Sequence, residues 1–319
     1  MEITAFPRIH VSLIGMFKEG YRMNGGFGFS IKDPKIIVNF RVSRRFVFKE
    51  ERMVGSNADE RNRLIGVLKK IKKKFCFKWA IEFVVSGDSM SHHGFGTTTA
   101  IYMSCVEALF IVNDKCYDDD LIRLMSSRGS TSGVGINTYF YGGFVFDVGV
   151  PSFLDKKMLP SSMHENRKRM PLVIKISEIP EWPLCVVVPD DIKSKTENEE
   201  VDFFKRVCPL SINEVQEIMY EVVFGVMPSL IENDKKVFCE AVDQIQTKKW
   251  KKEERLLYGP GLSSFEKKYK DLGIKGIGMS SLGPALFFLM QNNDILLDHK
   301  DGLHFFTKMN NEPRKISYD

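Results

Sequence analysis

Most of the short signatures that announce a chemistry are missing from this chain. No two of its six cysteines form a C-x-x-C pair: Cys76, Cys105, Cys116, Cys185, Cys208 and Cys239 are scattered, several within apolar runs. This argues against a zinc module and favours free thiols in a reducing cytoplasm. No G-x-x-x-x-G-K-[ST] loop occurs, so a Walker nucleotide site is excluded. His164-Glu165 lacks the second histidine of a metalloprotease helix. His92-His93 has no carboxylate or cysteine at ligand spacing, so a hydrogen-bonding role is expected for it. No apolar run reaches the roughly 20 residues that a membrane helix needs. Met1-Glu2-Ile3-Thr4 has neither a basic start nor a long apolar core, so no signal peptide is expected. There is no internal repeat.

Charge of one sign is also scarce. Lys and Arg number 46 against 41 Asp and Glu, a formal excess of +5 over 319 residues. That suits a small anionic substrate and is no nucleic-acid footprint. The densest basic run, Lys69-Lys70-Ile71-Lys72-Lys73-Lys74, follows a helical pattern and reads as a solvated helix end. With 43% hydrophobic and 27% charged residues the chain is globular, and it is long enough for two domains.

What is present is glycine in loops rich in hydroxyl groups. There are three: His93-Gly94-Phe95-Gly96-Thr97-Thr98-Thr99, Arg128-Gly129-Ser130-Thr131-Ser132-Gly133-Val134-Gly135 and Gly276-Ile277-Gly278-Met279-Ser280-Ser281-Leu282-Gly283-Pro284. Each runs into or beside an apolar stretch. Glycine lets the backbone approach a ligand closely, and the free N–H groups of a following helix attract an anion. Three such loops point to a polyphosphate or another highly charged phosphate ester.

Patterning places strands at residues 9–14, 27–31 and 36–42, a helix at 57–74 and a strand at 75–85. Helices follow at 97–112 and 118–125, then a buried strand at 144–148. A turn-rich stretch at 151–180 suggests a boundary between domains 1–180 and 181–319. Beyond it we expect a strand at 184–188, a polar mobile loop at 194–200, helices at 211–223 and 233–248, an apolar helix at 284–290 and a closing strand at 302–308. Leu184 to Asp191 superficially resembles the strand and two acids of ordinary phosphoribosyltransferases. No small-residue phosphate loop follows it, so a buried strand with polar punctuation is the preferred reading.

The three loops together resemble the GHMP small-molecule kinase superfamily. Gly94-Phe95-Gly96-Thr97-Thr98-Thr99-Ala100 is similar to its phosphate loop, and Ser132-Gly133-Val134-Gly135 to its second motif. Gly276-Ile277-Gly278-Met279-Ser280-Ser281 is similar to its third. Many of those kinases carry an aspartate where this chain has Gly135, and glycine cannot act as a base. The order of motifs more closely resembles a non-kinase branch, the beta-ribofuranosylaminobenzene phosphate synthases and related C-nucleoside-forming enzymes. Its counterparts here are Phe6-Pro7-Arg8-Ile9-His10, the Arg128–Gly135 loop, Gly142-Gly143-Phe144-Val145-Phe146-Asp147-Val148-Gly149 and the third loop through Pro284. Met279 and Leu282 depart from that family's Gln and Trp, and its aspartate after the first strand is replaced near Gly15-Met16.

The resemblance implies an α+β fold with an N-terminal ribosomal-S5-like domain and a C-terminal ferredoxin-like domain, and by analogy a homodimer. It implies a decarboxylating transfer from phosphoribosyl pyrophosphate to an aromatic or azole carboxylate, with Mg²⁺. Partners of the nucleic-acid or membrane kind are not expected. Gly94, Gly96, Thr97, Thr98 and Thr99 would cradle pyrophosphate; Ser132, Gly133, Gly278, Ser280 and Ser281 would hold other phosphate oxygens. Arg8 and Arg128 are candidates to orient the carboxylate, with His10 as a polar neighbour. Asp147 is a candidate for metal or ribose. Two alternatives stand beside this reading: an ATP-dependent kinase with a rearranged base, and a non-catalytic phosphate-sensing protein.

Overall fold

The computed structural model describes residues 1–153, 158–163, 170–176, 178–290 and 302–318. His164-Glu165 lies outside them. The first half contains β1 (Glu2–Ala5), β2 (Arg8–Gly15), β3 (Arg22–Ser30), β4 (Ile36–Ser43), β5 (Val47–Glu50), α1 (Ala58–Lys74) and β6 (Ala80–Ser86). It continues with α2 (Thr97–Val112), α3 (Asp119–Met125), α4 (Val134–Tyr141), β7 (Phe144–Asp147), β8 (Val150–Pro151) and β9 (Val173–Ile176). The second half has β10 (Pro183–Pro189), α5 (Glu197–Val207), α6 (Ile212–Tyr220), α7 (Met227–Glu232), α8 (Lys235–Thr247), α9 (Lys249–Leu256) and α10 (Gly259–Asp271). It closes with β11 (Gly278–Met279), β12 (Leu286–Leu289), β13 (Gly302–Lys308) and β14 (Lys315–Ser317).

Three sheets organise these strands. One has the order β14-β1-β4-β6-β5, so the last strand returns to pair with the first. The second runs β2-β3-β7-β9, with β8 on β3, and the third runs β11-β12-β10-β13. All pairings are antiparallel except β5 with β6. Helix α2 is buried nearly all round, between the first sheet and α1, α3 and α4. Its composition explains this: a helix apolar on every face must be covered on every face. The largest core joins the second sheet to the later helices, with Phe29 edge-on to Phe238 and Phe287.

Two expected elements differ. Residues 284–290 form strand β12, not a helix. On β10 and β12, Cys185, Val187, Leu286 and Phe288 face α10, while Leu184, Val186, Phe287 and Leu289 face the large core. A strand covered on both faces is apolar at every position, so alternation cannot reveal it. Residues 194–200 do not form a loop throughout. Thr196 caps α5 by accepting from Glu199 N, and the Glu199 carboxylate returns to Thr196 N at 2.8 Å. This is a capping box. Leu184 to Asp191 is as expected: β10 is buried, and Asp190 and Asp191 are exposed.

Candidate active site

The three glycine loops meet in one cleft of about 1070 Å³. The meeting is made by backbone. Gly94, at φ +94°, packs so closely that an added Cβ would fall 2.4 Å from the Ser280 carbonyl oxygen. An added Cβ on Gly283 would fall 2.4 Å from Gly94 N. The first and third loops therefore touch where side chains are absent. Ser280 is fully buried between them. Its hydroxyl donates to Gly94 O at 2.7 Å and accepts from His10 N at 3.1 Å. Ser281 N donates to His10 O at 2.8 Å.

Of the helices whose starts line this cleft, two begin on glycine. Gly96 caps α2 and Gly133 caps α4, and neither helix has an acid in its first turn; at α4 the neighbouring Ser132 Oγ accepts from Val134 N at 3.2 Å. By contrast α1, α3, α5, α6 and α8 start on Asn57, Asp118, Thr196, Ser211 and Asp234, whose side chains accept from the first turn. At α2 no side chain among the described residues takes the first N–H groups, which disposes that helix start toward an anion. The threonines of α2 are arranged unequally. Thr97 is turned inward to Ser89 Oγ and Met90 O; Thr98 donates to Glu60 and Thr99 accepts from Arg128 Nε at 3.3 Å.

Positive charge is concentrated on the same wall. Arg8 donates to Gly94 O, and Arg128 stacks over Tyr102 at 5.5 Å. Burial, reinforced by Arg128, lowers the Arg8 pKa to about 10; burial also lowers that of Arg128. Among the described residues neither guanidinium forms an ion pair, and Glu60 and Glu200 act on Arg128 only through their charge, which suits the pair to an anionic ligand. Arg8 Nε is a buried donor with no hydrogen-bond acceptor. His10 meets Ser132 Oγ through Nε2 at 3.1 Å. Burial, then Arg8 and Lys251, push its pKa well below the usual histidine value, so the ring is neutral at pH 7.

Arg8, His10, Arg128, Gly94, Gly96, Thr97, Thr98, Thr99, Ser132 and Ser281 thus line one cleft. Others of the expected set stand behind it. Asp147 is 1% exposed; its carboxylate accepts from Gly133 N and, at 2.7 Å, from Gly149 N. It holds the second loop in shape and is not on the cleft surface. Gly278 lies in β11, where an added Cβ would strike the Phe287 ring. His92 reaches Glu60 at 3.1 Å, and His93 Nδ1 is 2.6 Å from Ser91 O.

Sequence reasoning missed a buried trio under the third loop. Lys251 and Glu254 on α9 are almost wholly buried and ion-paired. Lys251 also donates to Met279 O at 2.8 Å, and Trp250 Nε1 donates to Glu254 at 2.6 Å. Burial lowers the Lys251 pKa and raises that of Glu254. Glu254 and Trp250 reach the cleft lining, as do Glu197, Glu200 and Phe204 of α5. The capping box at Thr196 was the available signal for α5. The charged run around Lys251 gave none for burial.

Among solved structures the chain is similar to homoserine kinase from Cytophaga hutchinsonii, at TM-score 0.68 and 14% identity, covering 99% of this chain and 96% of that one. It is also similar to mevalonate diphosphate decarboxylase from Staphylococcus aureus, at TM-score 0.64 and 10% identity, covering 100% and 99%. The chain therefore shares the mixed α/β fold of these proteins. No protein-family model matches the chain. Beta-ribofuranosylphenol 5'-phosphate synthase from Archaeoglobus fulgidus is 30% identical over 286 residues, 90% of this chain and 86% of the relative. The synthase of the same name from Methanothermobacter thermautotrophicus is 26% identical over 282 residues, 88% and 85%. The chain belongs to the beta-ribofuranosylphenol 5'-phosphate synthase family, a family of enzymes.

Proposed function

We propose that this protein joins phosphoribosyl pyrophosphate to an aromatic or azole carboxylic acid, releasing carbon dioxide and pyrophosphate and leaving a C-riboside 5'-phosphate. The observation that carries the reading is the pairing of Arg8 and Arg128 with two glycine-started helices in one cleft. The N–H groups at the start of α2, with the dipole of α4 beside them, stabilise the charge that develops on departing pyrophosphate. The guanidiniums neutralise and orient the carboxylate of the acceptor. Attack by the ring carbon that bears the carboxylate needs close alignment with the anomeric carbon and little water. Loss of carbon dioxide then restores the ring, a step that requires no base at the position of Gly135.

Mg²⁺ belongs to the proposal as a companion of pyrophosphate. Among the described residues no three His, Cys, Asp or Glu side chains converge on a metal position. A Mg²⁺ ion held largely by phosphate oxygens fits such a site, since this ion commonly keeps few protein ligands. Its contribution is neutralisation of the leaving group's charge.

Thermal unfolding with each phosphate donor tests the reading. Phosphoribosyl pyrophosphate with Mg²⁺ raises the midpoint, because a ligand bound only by the folded state stabilises it. A rise with ATP and none with phosphoribosyl pyrophosphate restores the kinase alternative.

A further inference from the structure

The cleft holds a carboxyl that neither phosphate binding nor loop closure uses. Glu200 of α5 lines it together with Arg8, Arg128 and His92. Of the other acids there, Asp59 is exposed in the first turn of α1 and the remaining three are engaged. Glu60 meets Thr98 and His92, Glu197 meets Arg63 at 2.8 Å, and Glu254 meets Lys251 and Trp250. Among the described residues the Glu200 carboxyl makes no hydrogen bond or ion pair. Its helix is fixed by the capping box at Thr196, and Phe203 and Phe204 of the same helix pack edge-on against Trp250. A half-buried, unpaired carboxyl on a rigid helix facing a ligand cleft is placed to act on the ligand.

We propose that Glu200 is the general base that takes the hydroxyl proton of a phenolic acceptor as its ring attacks. The proposal rests on the C-riboside reading above. The hydroxyl is conjugated with the ring carbon that bears the carboxylate. As Glu200 takes its proton, that carbon forms a bond to the anomeric carbon, and the bond from the anomeric carbon to pyrophosphate breaks with its electron pair. The ring is then a dienone that still carries the carboxylate. The bond to the carboxylate breaks, its electron pair returns to the ring, and carbon dioxide leaves. The ring oxygen recovers the proton from Glu200, so no proton is gained or lost. Without the base, the same attack would place a full positive charge on a ring already facing two arginines.

The surroundings suit proton exchange near neutrality. Burial pushes the Glu200 pKa up to about 7; the charges of His92 and Arg128 oppose this, and those of Glu197 and Glu254 add to it. Tyr258, which caps α10, is a further ionisable group coupled to it. The base form therefore grows as pH rises through about 7.

The test uses the full chain with Mg²⁺, phosphoribosyl pyrophosphate, para-hydroxybenzoate and its ring-fluorinated analogue, reading pyrophosphate release. For the wild type, kcat/KM for the acid rises with pH through about 7 and then levels. Glu200→Gln lowers kcat by about a hundredfold, loses that pH dependence and leaves KM for phosphoribosyl pyrophosphate unchanged. The fluorinated acid, whose hydroxyl ionises more readily, narrows the gap between variant and wild type. Glu200→Asp retains the pH dependence at reduced rate, and it carries the readout if the glutamine variant unfolds. An active wild type matched by Glu200→Gln in rate and pH profile overturns the role of Glu200 alone. A wild type that releases no pyrophosphate with either acid overturns this proposal together with the reading beneath it.

Discussion

Arg8 and Gly135 face one another across the cleft: Arg8 Nε lies 3.8 Å from the point where a Cβ on Gly135 would stand. The kinase resemblance of the three loops implies an aspartate at that position. With glycine there, Arg8 Nε has no acceptor among the described residues and is left to a ligand. Gly135→Asp would place a carboxylate beside Arg8, at a site where the nearest atom to an added Cβ is the Thr99 methyl group at 3.5 Å. The variant is expected to fold normally and to lose roughly a hundredfold or more in kcat/KM, as when one charge-stabilising group is removed. Steady-state kinetics with thermal unfolding checks both parts.

Contact between the first and third loops makes a second prediction. Gly94→Ala puts a methyl group against the Ser280 carbonyl at a positive φ. Destabilisation of roughly 1–3 kcal/mol is expected, readable by urea unfolding. Activity falls with it, because Ser280 also holds His10 in place.

The buried Lys251–Glu254 pair anchors the third loop through Met279. Lys251→Met leaves Glu254 buried without its cation and is expected to cost about 3–5 kcal/mol. Combining it with Glu254→Gln recovers part of that loss, which a double-mutant cycle in denaturant would detect.

His92 and Glu60 set a pH window. Burial alone would raise the Glu60 pKa, but the hydrogen bond and charge of His92 bring it below 4.5. The hydrogen bond to Glu60 raises the His92 pKa above 6.5. The histidine contribution is complete below 6.5 and fades as pH rises through the raised value. The carboxylate contribution is present above 4.5 and fades as pH falls through the lowered value. The pair therefore stabilises most between about 4.5 and 6.5. The His92 side chain is 42% exposed, so the effect is at most about 1 kcal/mol. His92→Ala should lower the unfolding midpoint inside that window and flatten its fall above 6.5 and below 4.5.

Local sequence carried much of this architecture. Asn57 and Glu60 announce α1 as a capping box, and Gly96 followed by an apolar run announces α2. The glycine loops could be read because close backbone approach demands the residue itself. Residues 284–290 could not be read correctly, since β12 is covered on both faces and shows no alternation. Lys251 could not be recognised at all: its burial depends on Met279 and Glu254, and a lysine among lysines reads as solvated. Asp147 was legible as important, but its partners, Gly133 and Gly149, place it behind the loop.

The most direct measurement is the release of pyrophosphate and carbon dioxide from phosphoribosyl pyrophosphate, Mg²⁺ and a panel of aromatic and azole carboxylates. ATP with small alcohols runs in parallel. The C-riboside reading predicts both products in equal amounts, dependent on the acid, and no ADP. ADP formation without acid-dependent pyrophosphate would contradict it.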